Sequence, residues 1–224
     1  INVTLLDRSS VNSFLGSAAG TSSLTVYPGS ICGVVSLPGV ACGVTSVDGF
    51  LLTSVDCTGA VSLANGTCGN VGVTTVPSSL TAIGTELTGN AITAAGIEFD
   101  GVQSDDPTMV VTSTVAGITS RNSYFSESST FDSADNIVTS DGILGEPTAV
   151  NSIIAQRVTV GGDILCNVLN MADVQANGTT VAAAVMTAVG GSILGSVALS
   201  TSGVISGGCE VTGQITMGVG AGSL

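Results

Sequence analysis

Short apolar runs rich in valine, isoleucine and threonine recur along this chain at a spacing of roughly ten residues. Glycine, proline, asparagine or aspartate stands between most of them, as turns require. β-Branched residues are stiff at χ1 and suit a pleated sheet, so the chain is expected to be all-β. Beyond the first six residues, the pattern predicts strands at Ser23–Tyr27, Ile31–Leu37, Ala41–Val47, Phe50–Val55, Ala60–Leu63, Val71–Val76, Leu80–Leu87, Ala91–Phe99, Met109–Val115, Asn136–Thr139, Ser152–Val160, Asp163–Leu169, Gly178–Val189, Ser192–Ser200 and Gly208–Met217.

The spacing of these runs fits a β-sandwich, a Greek key or a β-solenoid. The sequence has no fixed repeat period, which favours a Greek-key-like β-sandwich and leaves the β-solenoid as the alternative. Two antiparallel hairpins are expected near the C-terminal end. One is closed by Gly161-Gly162 and the other by Gly190-Gly191.

Charge and cysteine content divide a single β-rich domain, residues 1–224, into three parts. Residues 1–97 hold four of the six cysteines, whereas residues 98–146 hold nine acidic residues and no cysteine. The middle part is therefore expected to be exposed, either as an insertion or as a more solvated stretch. Residues 147–224 carry the two predicted hairpins.

The nearly apolar run Val181–Leu199 has about the length of a membrane span. Its glycine pair, its β-branched residues and the lack of a nearby lysine or arginine argue against an anchor. We expect instead a hairpin that is buried or lies at a subunit interface, with no direct membrane span.

The chain lacks lysine and histidine, and its only cationic side chains are Arg8, Arg121 and Arg157. It therefore has neither a side chain that titrates near neutrality nor a lysine nucleophile. Carboxylates remain, but no Asp-Thr/Ser-Gly motif and no tryptophan accompany them, so the chain is not expected to be an enzyme. A net charge of −13 excludes direct binding to a nucleic acid backbone.

Charged residues make up only 8% of the chain, against about 25% in a typical globular domain. A large uncharged surface is tolerated when it is buried against copies of the same subunit, which indicates a homopolymer. The alternative is a monomer covered by covalent glycans. Each arginine is expected to have an acidic partner, and inter-subunit salt bridges to the acidic middle part are one hypothesis.

The first residue is isoleucine rather than methionine, which we interpret as a processed N-terminus after removal of a signal peptide. Six cysteines without a metal-type CxxC motif favour an oxidising, extracellular or cell-surface location. We expect disulfides, and neighbour pairing is one of the connectivities that six cysteines allow. It would give Cys32–Cys42, Cys57–Cys68 and Cys166–Cys209. Sequons also mark Asn2, Asn65 and Asn177 as candidate glycosylation sites.

Acidic residues at short spacing are candidate ligands for Ca²⁺, the one cofactor that the sequence suggests. They are Asp105 and Asp106 in one group, and Asp132 and Asp135 in another. Neither group matches an EF-hand loop, which needs alternating ligands and a distal glutamate. The alternative is that these acids belong to solvated loops.

A Ser/Thr/Val/Gly-rich β sequence with no lysine, with sequons and with cysteines resembles the self-assembling extracellular subunits of prokaryotes, including archaeal threads, donor-strand pili and sheath proteins. The resemblance is one of composition over the whole chain. It implies a β-sandwich whose open edge is filled by a strand from a neighbouring copy. The expected donor strand is Ile1, Asn2, Val3, Thr4, Leu5 and Leu6. The alternative is an ordinary first strand within its own sheet.

The sequence therefore predicts a structural subunit of an extracellular filament or sheath, with copies of itself as its partners. Strand complementation would polymerise it and disulfides would stabilise it. A cell-surface adhesin or carbohydrate-binding module is the second hypothesis. A virion coat protein is the third, although the chain has no basic arm for a genome.

Overall fold

The structure is a computed structural model that describes residues 60–73 and 79–218, together with six strands between residues 2 and 57. It is all-β. Within the described residues there is no helix. The all-β prediction is therefore confirmed.

The described strands follow one another along the chain with short connections. In order they are β1 Asn2–Leu5, β2 Ser10–Leu15, β3 Thr21–Val26, β4 Ile31–Leu37, β5 Ala41–Ser46, β6 Leu51–Cys57, β7 Val61–Ala64, β8 Thr67–Val73, β9 Ser79–Ile83, β10 Glu86–Leu87, β11 Ala91–Ala94, β12 Gly96–Asp100, β13 Gln103–Ser104, β14 Val110–Ser113, β15 Ile118–Phe125, β16 Thr130–Ser133, β17 Ile137–Leu144, β18 Glu146–Ala149, β19 Ser152–Val160, β20 Ile164–Ser206, β21 Glu210–Thr212 and β22 Ile215–Met217.

Strands that are separated by a full turn of the chain pair in parallel. One ladder joins β1, β3, β5, β7, β9, β12, β15, β17, β19 and β20. A second ladder joins β2, β4, β6, β8, β11, β14, β16, β18 and β20. Paired residues lie 16 to 21 positions apart, as in Ile137↔Ile153 and Asn2↔Ser23. The fold is thus a parallel β-solenoid.

The predicted β-sandwich is wrong, and the alternative, a β-solenoid, is the observed architecture. Alternation of apolar and polar residues identifies which face of a strand is buried, but it does not say which strand lies beside it. The turns also differ in length, between 16 and 21 residues, so the sequence shows no regular period. Because of that variation, the repeat period of a solenoid could not be recognised in the sequence.

Both predicted hairpins are also wrong. The strand before Gly161-Gly162 pairs in parallel with the strand after it, in the register Ile153↔Leu169. Gly190 and Gly191, with φ of 73° and 82°, lie inside the 43-residue strand β20, which continues past them. These glycine pairs turn the chain onto the next side of the solenoid and do not reverse it.

The acidic middle part belongs to the same ladders as the rest of the chain. Strands β12, β15 and β17, which cover much of residues 98–146, pair both with the preceding and with the following turn. Their acidic side chains are exposed or half-buried, whereas Phe99, Phe125 and Phe131 are buried in the core. This part is therefore a segment of the solenoid with an acidic exterior.

The core is built from columns of apolar side chains that stack from turn to turn. The clearest column runs through Val61, Leu80, Ile97, Ile118, Ile137, Ile153 and Leu169, each at most 4% exposed. The backbone register continues this line of paired positions back through Val44 and Leu24 to Val3. Burial of an aliphatic side chain of this size contributes about 1.5–3 kcal/mol, so the column is a major source of stability.

Aromatic side chains form one cluster in the interior. The ring centroids of Phe99 and Phe125 are 5.4 Å apart, and those of Phe125 and Phe131 are 4.9 Å apart at nearly a right angle. Edge-to-face pairs of this kind add to the free energy of burial. The cluster fills the solenoid under the acidic exterior.

Two glycines give a matched test of how tightly successive turns approach. Gly142 has φ of 140°, and a Cβ there would overlap the Ser123 carbonyl oxygen, whereas Gly208 has φ of 80° with nothing within 4 Å of its Cβ position. We expect Gly142→Ala to lower the free energy of unfolding by about 2–4 kcal/mol, because backbone strain and overlap add.

Gly208→Ala should cost only about 1 kcal/mol, because the backbone conformation alone is strained. The measurement is chemical denaturation followed by circular dichroism. Equal losses in the two variants would contradict the close stacking at Gly142.

Candidate functional site

One corner of the solenoid is formed by residues in the left-handed conformation, one from each turn. They are Asn65, Gly84, Gly101, Asn122, Asp141, Arg157, Asp173, Gly190 and Gly207, with φ between 49° and 73°. Glycine, asparagine and aspartate tolerate this conformation best, which explains their recurrence at these positions. The corner directs each turn from one sheet to the next.

Charged side chains alternate in sign along this corner. Arg121 contacts Glu98 at 2.5 Å and Asp100 at 3.8 Å. Arg157 donates two hydrogen bonds to Asp141, of 2.5 and 2.8 Å. Both described arginines therefore have acidic partners, as predicted, but these partners lie in the same chain. The contacts do not support the expectation of inter-subunit salt bridges for Arg121 and Arg157.

The hydrogen bonds of the Arg157–Asp141 pair shift the ionisation of both groups. Donation by the Arg157 guanidinium lowers the pKa of Asp141 below its ordinary value. The same hydrogen bond raises the pKa of Arg157, with a smaller contribution from the charge of Asp173. The pair is thus held in its charged form.

A polar cleft of about 390 Å³ opens beside this corner. Two successive corner positions, Gly84 and Gly101, carry no side chain, which leaves a notch in the surface. The cleft is lined by Asn65, Gly66, Thr67, Gly84, Thr85, Glu86, Gly101 and Gln103. The hydroxyl of Thr67 donates a long hydrogen bond of 3.4 Å to the Glu86 carboxylate. On the next turn the exposed ring of Tyr124 is paired in register with Gln103.

The candidate Ca²⁺ ligands do not come together as a group of three or more in the described part of the chain. Asp106 accepts hydrogen bonds of 2.7 Å from the amide and hydroxyl of Thr108, which lower the pKa of Asp106. Asp135 accepts from the side chain of Asn151 at 2.6 Å, and Asp132 projects from β16 between Thr112 and Thr148. In residues 60–73 and 79–218, no three cysteine or acidic side chains are grouped to hold a metal ion.

An apolar groove of about 520 Å³ runs across the outer face of the last turns. It is lined by Leu165, Cys166, Asn167, Ala182, Ala183, Ala184, Ala198, Leu199, Ser200, Thr216 and Gly218. None of these residues is charged. Leu165 stands at its side with 53% of its surface exposed, so the groove has an apolar projection beside an apolar hollow.

Cys68, Cys166 and Cys209 are free thiols, and two of the expected disulfides, Cys57–Cys68 and Cys166–Cys209, are therefore absent. Cys68 is paired in register with Leu52, while Cys57 lies opposite Val73. Five residues of strand, about 17 Å, thus separate the expected Cys57–Cys68 partners, which is beyond the reach of a disulfide. Cys166 lines the apolar groove and Cys209 lies outside that lining, and both are free.

Burial keeps the interior thiols protonated. It raises the pKa of Cys68 to about 12 and that of Cys166 to about 11, and it also raises the pKa of Cys209. Because a thiolate is the reactive form, we expect Cys68 and Cys166 to react slowly in the folded chain. The expected Cys32–Cys42 bridge falls on β4 and β5, whose side chains lie outside the described residues.

The expected donor strand is paired within its own chain. Residues Asn2–Leu5 form β1 and pair in parallel with β3, in the register Asn2↔Ser23. Ile1 and Leu6 lie outside the described residues. This pairing is the one expected of an ordinary first strand, the alternative that the sequence left open, and exchange of the strand between copies stays a prediction.

Two of the three sequon asparagines lie on the surface of the described part. Asn65 is exposed at the corner and lines the polar cleft, and Asn177 is exposed on β20. The third, Asn2, lies on β1, whose side chains are not described. Glycosylation of these sites stays a prediction.

The free thiols can be tested by alkylation at pH 8 with peptide mapping by mass spectrometry. We expect Cys209 to be labelled at least about tenfold faster than Cys68 and Cys166 in the folded protein, because burial suppresses their thiolates. All three should label rapidly in denaturant. Protection of Cys166 and Cys209 in denaturant without a reductant would instead reveal a bridge.

The Arg157–Asp141 pair predicts a defined pH dependence of stability. A carboxyl whose pKa is lowered by folding stabilises the folded state above its unfolded pKa of about 3.9, and this contribution is lost as pH falls through the lower folded pKa. Arg157→Gln should therefore lower the melting temperature slightly at pH 6. The difference from the unmodified chain should vanish in strong acid. A difference that persists unchanged in acid would contradict the pairing.

Two further observations concern membrane-spanning helices and similarity to known proteins. Over the described residues, no helix has the length and apolar character that a membrane span needs. Comparisons with models of protein families, with characterised proteins and with solved structures found no match. The surfaces of the solenoid itself are therefore the basis for a functional proposal.

Proposed function

We propose that this chain is a structural subunit of an extracellular assembly, and that copies of it associate through the apolar groove. The observation that carries the proposal is the groove itself: an uncharged hollow of about 520 Å³ on a chain whose net charge is −13. An apolar concavity of this kind gains free energy when another surface covers it. The role is non-enzymatic.

Electrostatics favours a second copy of this chain as the covering surface. Two copies with a charge of −13 repel each other over most of their surfaces. The repulsion is weakest where no charged side chain intervenes, which is the case for the residues that line the groove. At this face, the free energy gained by burying apolar surface can therefore exceed the electrostatic repulsion between the two copies.

The shape of the groove also fits a copy of itself. Parallel turns of a solenoid repeat every 4.8 Å or so, and an identical sheet presents ridges with the same repeat. Leu165 can enter the alanine-lined hollow of a second copy while the second Leu165 enters the first. Such a two-fold contact is self-complementary. In this proposal the contact is lateral, because the groove lies on the side of the solenoid.

A single substitution distinguishes association through this groove from nonspecific aggregation. Leu165→Asp places a charge at the groove and should weaken association about tenfold or more, since burial of a leucine contributes about 1.5–3 kcal/mol. Val110→Asp is the matched control, because Val110 is a strand residue with similar exposure, 43% against 53%, outside the groove. Sedimentation velocity and negative-stain electron microscopy give the readout.

The unmodified chain and Val110→Asp should form dimers through this contact, whereas Leu165→Asp should stay monomeric with an unchanged circular dichroism spectrum. A monomer at the highest soluble concentration of the unmodified chain would rule the proposal out. Equal association of all three proteins would show that copies do not associate through the groove.

A further inference from the structure

The polar cleft is a built feature of the corner, distinct from the apolar groove. Asn65, Gly84 and Gly101 line it on three successive turns, with the Asn65 side chain lying over Gly84, and Asn122, the corner residue of the next turn, lies outside the lining. The Asn122 side chain is fixed by a hydrogen bond of 3.2 Å that it donates to Asp100. The cleft is therefore bordered by the Asn65 side chain and by the glycine backbone at Gly101.

Polar side chains from three successive turns form one wall of the cleft. Thr67, Glu86 and Gln103 occupy the same register position, so they are spaced by about one strand separation, 4.8 Å. Together they offer a hydroxyl, a carboxylate and an amide. This row can both donate to and accept from a ligand that carries several hydroxyl groups in line.

The charge of the residues around the cleft further restricts which ligands it can bind. No cationic side chain lines the cleft, and the two described arginines are engaged with Glu98, Asp100 and Asp141. On the far side of Glu86 and Gln103, a smaller hollow of about 130 Å³ adds Asp105 and Asp106. A phosphate or an acidic sugar would meet only negative charge here, whereas a neutral or amino-bearing ligand would not be repelled.

An aromatic ring continues the same row. Tyr124 is paired in register with Gln103 and has 52% of its surface exposed, although the chain has only two tyrosines. An exposed ring with an apolar face and a polar tip suits the apolar face of a sugar ring. The row thus passes from hydrogen-bonding groups to a stacking platform.

We infer that this cleft binds a short stretch of a glycan chain that lies along the solenoid axis, with its hydroxyl groups on Thr67, Glu86 and Gln103 and one ring against Tyr124. The volume of about 390 Å³ lies within the range of small-molecule sites. An amino sugar binds more tightly than its neutral counterpart, because Glu86 supplies a carboxylate. This site adds ligand recognition to the structural role proposed above and does not depend on it.

The test is isothermal titration calorimetry of the unglycosylated chain, because a glycan on Asn65 would itself occupy the cleft. The probes are a glucosamine trimer, cellotriose and trigalacturonic acid. We expect binding of the first two, tighter for the glucosamine trimer, and none of the acidic trimer. Tyr124→Ala and Gln103→Ala should each weaken binding about tenfold.

Two further variants complete the test. Glu86→Gln should remove the preference for the glucosamine trimer and leave cellotriose binding unchanged. Gln175→Ala is the matched control, an exposed side chain at the same strand position beside the corner residue Asp173, and it should bind like the unmodified chain. Absence of binding by every probe overturns the inference. Binding that is unaffected by Tyr124→Ala and Gln103→Ala also overturns it, since the ligand would then lie elsewhere on the chain.

Discussion

Parallel hydrogen bonding between each turn and its neighbours is the constraint on which the rest of this structure depends. It places equivalent residues of successive turns directly over one another, as in Ile118↔Ile137↔Ile153. A residue that suits the interior in one turn must therefore be matched by similar residues above and below. The aliphatic column, the aromatic cluster and the polar rows outside all follow from that single requirement.

The corner shows how the same stacking acts on the backbone. Each turn must change direction at the same place, so a left-handed residue is needed there in every turn. Asp141 and Arg157, the corner residues of two successive turns, form an ion pair with each other. Where the corner residue is Gly84 or Gly101, a cleft remains. The identity of one residue per turn thus decides whether the corner is closed or open.

The outer surface changes character along the solenoid axis. The turns around Glu86 and Glu98 present polar and acidic groups, whereas the turns around Leu165 and Ala198 present small apolar groups. A long solenoid can carry two such surfaces, because each turn contacts only its neighbours and its outward-facing residues can differ from those of other turns. Recognition of a ligand and association of copies can therefore reside on one chain without interfering with each other.

The sequence by itself determined the strand content, the lack of lysine and histidine chemistry and the acidic partners of Arg121 and Arg157. These follow from local composition and charge. Only the tertiary structure decided that the strands stack in parallel, because the alternation in a strand such as Ser152–Val160 defines its faces and not its neighbours. The row of Thr67, Glu86, Gln103 and Tyr124 was likewise invisible, since turns of 17 to 21 residues separate its members. Its one local signal was the glycine or asparagine two residues before each member, which acquires meaning only when the turns are stacked.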